Sequence, residues 1–237
     1  MRLAVIIPIH NRAATIEQSL RALDGLRRRG HRVIVVDGGS SDESTVRAST
    51  LADRVLAAPR GLSLQLNAGS RVPEAEQADA LVFLPEAVRL PAQADRAIVR
   101  ALSNSTSPWG RFDVSFDHPH GGARAPLRLA AALANWCSRA TGICTWEQVI
   151  FVARSAFLAL DGFSGPDASA DIEFSRRARQ LGAPIVVRER AVVCAADPGL
   201  PAVVRSALHR ERRRLLYALG FDGTARGPLS RRQSGSR

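Results

Sequence analysis

Three groups of polar residues in this chain stand directly after apolar runs, at positions where an α/β sheet binds its ligands. Residues 10–12 are His-Asn-Arg, residues 37–42 are Asp-Gly-Gly-Ser-Ser-Asp, and residues 85–89 are Pro-Glu-Ala-Val-Arg. In doubly wound sheets, ligands bind outside the carboxyl ends of the parallel strands. The spacing therefore predicts that these three segments meet at one edge of a sheet and form a ligand site.

Asp37 is the most specific residue in these segments. A carboxylate at a strand end can accept hydrogen bonds from a base or a ribose hydroxyl, while the two glycines after it let a ligand approach. The alternative is that Asp37 caps the backbone of its own loop, as Asp often does in turns. The spacing leaves both interpretations open. No G-x-G-x-x-G follows the first strand, so a dinucleotide-binding fold is disfavoured.

The elements that position these segments alternate between strand and helix. Continuous β-branched runs predict buried parallel strands, and apolar residues three and four apart predict helices that cover them. The predicted strands are Leu3–Ile9, Arg32–Asp37, 54–56, 80–84, 111–116, 149–153, 185–187 and 191–194. Helices are predicted at 16–26, directly after the first strand, and at 62–70, 93–103, 128–139 and 172–181. This order predicts a doubly wound α/β sheet. Ser40 and Glu43 are expected to form a capping box for the helix after the second strand.

The positive charge of the chain is concentrated near its carboxyl end. The net charge of +11 comes entirely from arginine, and residues 205–237 hold nine arginines against two acidic residues. A nucleic-acid-binding domain would carry its basic face on the domain itself, so no nucleic-acid partner is expected. Residues 201–219 are predicted to form a basic amphipathic helix. Such a helix fits either contact with an anionic membrane surface or packing on the domain.

The length of 237 residues fits one domain at residues 1–222, followed by a Gly-, Ser- and Arg-rich tail at 223–237 that is expected to be disordered. No apolar run approaches the roughly 20 residues that cross a bilayer. The amino terminus shows no signal-peptide pattern. We therefore expect a cytoplasmic protein, with peripheral contact at the inner membrane face as a further expectation from the last helix.

Other residue types that often bind ligands are less specific here. His118 and His120 lack a third ligand at a typical metal spacing, which favours a solvated loop. Trp109, Trp136 and Trp146 fit either stacking on a sugar or a base, or packing in the core.

Several segments of the chain carry a family resemblance when they are taken in order. They are residues 5–11, 33–42, 52–61, 65–69, 83–84 with 89–91, 109–113, 141–142, 148–151, 162–163 and 171–177. Together they resemble family 2 glycosyltransferases, and closely resemble the bacterial subgroup associated with radical-SAM and selenocysteine-domain proteins. The resemblance implies a GT-A-type, mostly parallel sheet with a Rossmann-like nucleotide-binding half and an acceptor half.

The resemblance also assigns roles to residues of the nucleotide-binding half. Pro8 and Asn11 would line the nucleotide pocket. Asp37 would contact the uracil or the ribose of a nucleotide-sugar donor. Arg60 and Asn67 would lie near the base and the phosphates.

The loop after the fourth strand departs from the family pattern. The family places a metal-binding aspartate there, for Mg or Mn, but this chain has Ala87, which offers no oxygen ligand. Glu86, one position earlier, is the candidate substitute ligand, and Arg89 is a candidate to neutralise the diphosphate. Asp171 matches the carboxylate that acts as general base on the acceptor hydroxyl in inverting members.

The resemblance implies an enzyme that transfers a sugar from a nucleoside-diphosphate sugar to an acceptor hydroxyl whose identity the sequence does not reveal. The alternative is a catalytically impaired GT-A-fold protein that binds a nucleotide or a glycan. Asp37 and Asp171 favour the enzyme, whereas Ala87 and Ala170 favour the alternative.

Overall fold

An eight-stranded sheet forms the centre of the computed structural model, which describes residues 1–117, 124–165 and 167–194. The strands are β1 Leu3–Ile9, β2 Arg32–Asp37, β3 Arg54–Ala57, β4 Ala80–Phe83, β5 Val88–Arg89, β6 Trp109–Asp117, β7 Ile150–Ala153 and β8 Ile185–Cys194. Their order in the sheet is β3-β2-β1-β4-β7-β6-β8-β5. The mixed, mostly parallel α/β architecture predicted from the sequence is confirmed.

The pairing directions fix which loops share an edge. Strands β3, β2, β1 and β4 are mutually parallel. Strand β7 is antiparallel to β4, β6 is antiparallel to β7, and β8 is parallel to β6. Strands β6 and β8 therefore run in the same direction as β4, and their carboxyl ends lie at the same edge. The chain order reverses between β1 and β4, which makes their carboxyl ends the switch point where doubly wound sheets bind ligands.

Helices cover both faces of the sheet. They are α1 Ile16–Arg21, α2 Asp24–Arg28, α3 Ser44–Ser49, α4 Leu62–Gly69, α5 Pro73–Glu76, α6 Ala94–Ser103, α7 Arg124–Thr141, α8 Arg154–Ala159 and α9 Ala170–Ala178, with 3-10 turns at Trp146–Gln148, Asp167–Ser169 and Arg179–Leu181. One apolar layer joins β1 and β2 to α1 and α6, for example through Leu20 and Ile98. The other joins the opposite sheet face to α4, α8 and α9, through residues such as Leu66 and Phe174.

Three local predictions need correction. The Ser40–Glu43 capping box is wrong, because the Ser40 hydroxyl donates to Asp37 and no side chain caps α3 from Glu43. Instead, the Asp42 carboxylate accepts the backbone N–H of Ser44 at 3.0 Å. The predicted helix after β1 is divided into α1 and α2, and the last two predicted strands are one strand with an irregular register opposite β6.

The predicted amphipathic helix at 201–219, the tail at 223–237 and the histidines at 118 and 120 lie outside the described residues. Membrane contact through that helix therefore stays a prediction. None of the helices in the described ranges combines the length and apolar character that a bilayer-spanning segment requires.

A buried histidine connects β1 to α6 at the edge opposite the ligand site. His31 Nδ1 accepts the backbone N–H of Leu3 at 3.1 Å, and its Nε2 lies 3.2 Å from a carboxylate oxygen of Asp95. Asp95 also forms an ion pair with Arg29. Burial lowers the pKa of His31, and this effect outweighs the attraction of Asp95 for the charged form. The folded protein therefore favours a neutral imidazole here.

We expect acidification to destabilise the fold through His31. Because its pKa is lower in the folded state, the unfolded chain binds the proton more strongly, and stability falls as pH drops through the unfolded pKa of about 6.5. A plot of Tm between about pH 7.5 and 5.5 should fall less steeply for His31→Gln than for the wild type. Parallel Tm profiles for the two proteins would contradict this assignment.

Candidate functional site

The carboxyl ends of β1, β2 and β4 bring the three polar segments of the sequence together. The backbone N–H of Asn11 donates to the Ser40 hydroxyl at 2.9 Å, and the Asn11 side-chain oxygen accepts the N–H of Ser41 at 2.8 Å. On the other side of β1, Arg12 Nε lies 3.3 Å from Glu86 Oε2. These contacts bring residues 10–12, 37–42 and Glu86 together at the carboxyl ends of β1, β2 and β4, as predicted. Arg89 does not join them, because it lies on β5, which pairs with β8.

Two residues of β1 and its following loop have the positions expected of pocket-lining groups. Pro8 is paired with Val36 near the end of β1 and is partly exposed. Asn11 is exposed and has φ 51°, in the left-handed region that asparagine tolerates better than most residues. This backbone turn lets its amide reach the neighbouring loop.

The buried Asp37 carboxylate organises the loop that follows β2. It accepts the backbone N–H groups of Gly39 at 3.2 Å and Ser40 at 3.0 Å, together with the Ser40 hydroxyl. The loop-capping interpretation therefore describes its contacts, and contact with a nucleotide stays a prediction. Gly39 has φ 83°, and a Cβ at this position would meet no atom within 4 Å. The loop is thus open on the side of Gly39.

Gln65 is a site residue whose role the sequence did not indicate. Its Nε2 on α4 donates to the carbonyl of Ile9 at 3.0 Å and to that of Val36 at 2.8 Å. These carbonyls lie near the carboxyl ends of β1 and β2, so one buried amide connects the two strands there. A Cβ at Gly38 would lie 3.0 Å from the Gln65 side chain, which explains a glycine at this position.

The segment before α9 is bound to α4 through two side chains. Asn67 donates from its amide nitrogen to the carbonyl of Phe163 at 2.8 Å and accepts the Phe163 N–H at 2.9 Å. Asp167 accepts the backbone N–H of Ser63 in the first turn of α4 at 2.9 Å. Asn67 therefore holds a backbone in place, and its contact with a base or phosphate remains a prediction. Arg60 is exposed just before α4.

An aromatic cluster lies beneath the end of β4. The ring of Phe163 lies 4.6 Å from that of Phe83, 4.9 Å from that of Trp146 and 4.7 Å from that of Phe174. These close ring contacts anchor the segment that precedes Asp171 to the end of the sheet. Trp109 is fully buried, in agreement with core packing.

Asp171 is buried at the amino end of α9. One of its carboxylate oxygens accepts the N–H of Trp146 at 3.0 Å, and the other accepts the N–H of Ile172 at 2.8 Å. Trp146 lies just before β7, whose first residue, Ile150, pairs with Phe83 at the end of β4. Asp171 is therefore at the same sheet edge as the other predicted site residues.

The loop after β4 is held by ion pairs and backbone contacts. Glu86 Oε1 accepts the Ser19 hydroxyl at 3.3 Å, while its other oxygen contacts Arg12. The carbonyl of Ala87 accepts the N–H of Cys194 at 2.8 Å, and Arg89 lies 3.7 Å from Asp117. Within the described ranges, no three His, Cys, Asp or Glu side chains are grouped so that they could hold a metal ion.

A cavity of about 410 Å³ lies between α7 and the carboxyl halves of β6 and β8. It is lined mainly by apolar side chains such as Phe116 and Leu127, together with Arg128, Asn135 and Arg190. Because β6 and β8 run parallel to β4, the residues of these strands that line the cavity lie toward the same edge of the sheet as the polar segments.

Comparisons with known proteins found a family match for part of the chain and solved structures with the same fold. The family model described as "Glycosyl transferase family 2" matches residues 4–72, the part that contains β1, β2 and the Asp37 loop. No curated protein matches the chain. The family model does not distinguish subgroups, so membership of the radical-SAM-associated subgroup stays a prediction.

Solved structures of glycosyltransferases share the fold. A mannosyltransferase from Pyrobaculum calidifontis, in complex with GDP-Man and Mn2+, has a TM-score of 0.66 at 21% identity. The alignment covers 95% of this chain and 66% of that enzyme's chain. Glucosyl-3-phosphoglycerate synthase from Mycobacterium tuberculosis, in complex with Mn2+, UDP and glucosyl-3-phosphoglycerate, has a TM-score of 0.62 at 17% identity, with coverage of 95% and 82%. The chain therefore has the GT-A-type fold of these enzymes.

The Asn67 contacts generate a stability prediction. Asn67→Ala removes both bonds to Phe163 and leaves a backbone N–H and a carbonyl without these partners. We expect a loss of about 1–3 kcal/mol in the free energy of unfolding, measured by urea denaturation. Asn104→Ala is the matched control, since Asn104 is an exposed residue at the end of α6. Equal, small effects of both substitutions would contradict the anchoring role.

Proposed function

We propose that this protein is a glycosyltransferase that moves a sugar from a nucleoside-diphosphate sugar to an acceptor hydroxyl. The observation that carries the proposal is the placement of the Asp37 loop and the buried Asp171 at one sheet edge, at the switch point of a GT-A-type fold. The family model and the structural neighbours support the same class of reaction.

The nucleoside of the donor would bind at the ends of β1 and β2. The open side of the loop at Gly39 leaves room for a base and ribose, while Asp37 and Asn11 hold that loop in place. Pro8 would lie against the nucleoside, and Arg60 would approach it from the turn before α4. In this proposal Asn67 acts indirectly, through the Phe163 backbone that it holds.

Asp171 would take the proton from the acceptor hydroxyl. Its two oxygens accept hydrogen bonds from the backbone N–H groups of Trp146 and Ile172, which hold the carboxylate in one orientation. General base catalysis contributes about 10²- to 10⁴-fold in rate. The cavity between α7 and β6 lies toward the same edge of the sheet and is our proposed acceptor side.

The second candidate function is a nucleotide- or glycan-binding protein without transferase activity. One observation in its favour is Ala87, an exposed residue at the position where the family has a metal ligand. Another is that Glu86, the candidate substitute ligand, is already paired with Arg12. The structural neighbours were solved with Mn2+ or Mg2+. In the described part of this chain the loop after β4 does not fit such an ion, so no step of the proposed reaction passes through a metal.

We expect UDP or GDP to stabilise the fold through the Asp37 loop. A ligand at about 100 times its Kd adds about 2.7 kcal/mol to the stability of the protein that binds it. Thermal shift with each nucleotide should therefore raise the wild-type Tm, and Asp37→Ala should reduce that rise. Asp24→Ala, on the remote helix α2, is the control. The absence of any shift with either nucleotide would refute the nucleotide site.

Asp171→Asn should separate binding from chemistry. The amide keeps the shape of the carboxylate but cannot accept the proton, so nucleotide binding should persist while hydrolysis of UDP-glucose or GDP-mannose falls by about 10²-fold or more. Asp161→Asn, at an exposed turn, is the control. Equal hydrolysis rates for the wild type and Asp171→Asn would exclude Asp171 as the base. If the wild type binds a nucleotide but hydrolyses neither donor, the binding-protein alternative is favoured.

A further inference from the structure

An ion pair joins the loops that follow β1 and β4. Arg12 follows β1 and Glu86 follows β4, and these neighbouring strands mark the switch point of the sheet. The Glu86 side chain is only 9% exposed, whereas the Arg12 side chain is 49% exposed. The pair therefore has a buried anionic side and a solvent-facing cationic side.

Glu86 already has partners for both carboxylate oxygens. Oε2 is 3.3 Å from Arg12, and Oε1 accepts the Ser19 hydroxyl at 3.3 Å. To bind Mg2+ or Mn2+, Glu86 would have to exchange these contacts for the ion while its neighbour Ala87 supplied no ligand. The described residues therefore do not fit the divalent ion seen in the structural neighbours.

Arg12 is held on both its backbone and its side chain. Its N–H donates to the Ser44 hydroxyl at 2.6 Å, and its carbonyl accepts the N–H groups of Thr15 and Ile16. Glu86 contacts the side chain through Nε. Within the described part of the chain, no hydrogen bond engages the two terminal guanidinium nitrogens of Arg12. These nitrogens are thus available at the carboxyl edge of the sheet, on a side chain that is half exposed.

We propose that Arg12, positioned by Glu86, binds the diphosphate of the donor in place of a divalent metal ion. This inference rests on the proposed function and deepens it by assigning the group that neutralises the diphosphate. A guanidinium is always charged and carries planar donors that match phosphate oxygens in pairs. Glu86 restrains the long Arg12 side chain, which reduces the conformational entropy lost when the phosphate binds.

Arg89 is less suited to this role. It pairs at 3.7 Å with the exposed Asp117, and its strand β5 lies at the far edge of the sheet, beyond β8. Arg12 instead follows β1, beside the Asp37 loop where the nucleoside is proposed to bind. The sequence-based assignment of Arg89 to the diphosphate stays a prediction, and Arg89→Ala is compared with Arg12→Ala.

The test measures UDP and GDP binding by isothermal titration calorimetry, once in excess EDTA and once with Mn2+. The wild type should bind with the same Kd in both conditions. Arg12→Ala should raise Kd by about 10- to 100-fold in both, the range expected for loss of a charge-assisted contact. The matched control is Arg54→Ala. Like Arg12, Arg54 is about half exposed (46%) and lies near a glutamate, at 3.6 Å from Glu74. It is remote from the proposed site because it lies at the amino end of β3, whereas the site lies at the carboxyl ends of the strands. Circular dichroism checks that each variant is folded.

Each outcome decides the inference. Binding that requires Mn2+, and that Glu86→Gln abolishes, would overturn it while leaving the proposed function intact. Metal-independent binding that Arg12→Ala leaves unchanged, or that only Arg89→Ala weakens, would also overturn it. If neither nucleotide binds in either condition, the proposed function fails and the inference fails with it.

Discussion

The parallel pairing of β1 with both β2 and β4 is the constraint on which the rest of the site depends. It places the loops after three strands at one edge, although these loops are separated by tens of residues in the chain. Polar backbone groups at that edge need hydrogen-bond partners. The Gln65 amide donates to two of these groups, the carbonyls of Ile9 and Val36 near the ends of β1 and β2. The loop at Asp37 and the ion pair at Arg12 both rely on this frame.

A second set of contacts attaches the segment before α9 to that frame. The segment before α9 is held from one side by Asn67 and Asp167, and from the other by Arg177, which donates to the carbonyl of Gly162 at 2.8 Å. The aromatic cluster around Phe163 fills the space beneath it. Asp171 lies in the first turn of the helix that follows, so its position depends on packing as well as on its own hydrogen bonds.

The sequence predicted the parts of the structure that depend on local patterns. Strands β1 and β2 have the predicted bounds, because buried parallel strands are continuous apolar runs that end at polar residues. The meeting of the polar segments at one edge could also be predicted, because the carboxyl ends of parallel strands lie at the same edge of a sheet. The Asn67–Phe163 and Asp167–Ser63 contacts join residues 96 and 104 positions apart, so no local pattern indicates them. The same holds for the Arg12–Glu86 pair, which depends on the adjacency of β1 and β4.

The central claim is that a nucleotide-sugar binds at the carboxyl edge of this sheet. A crystal structure with UDP or GDP bound tests it most directly. The diphosphate gives strong electron density, so its position identifies the site even though the acceptor is not known. The account predicts the nucleoside beside the Asp37 loop and the diphosphate at the Arg12 side chain. Nucleotide density at any other place, or none at this edge at saturating concentration, would contradict it.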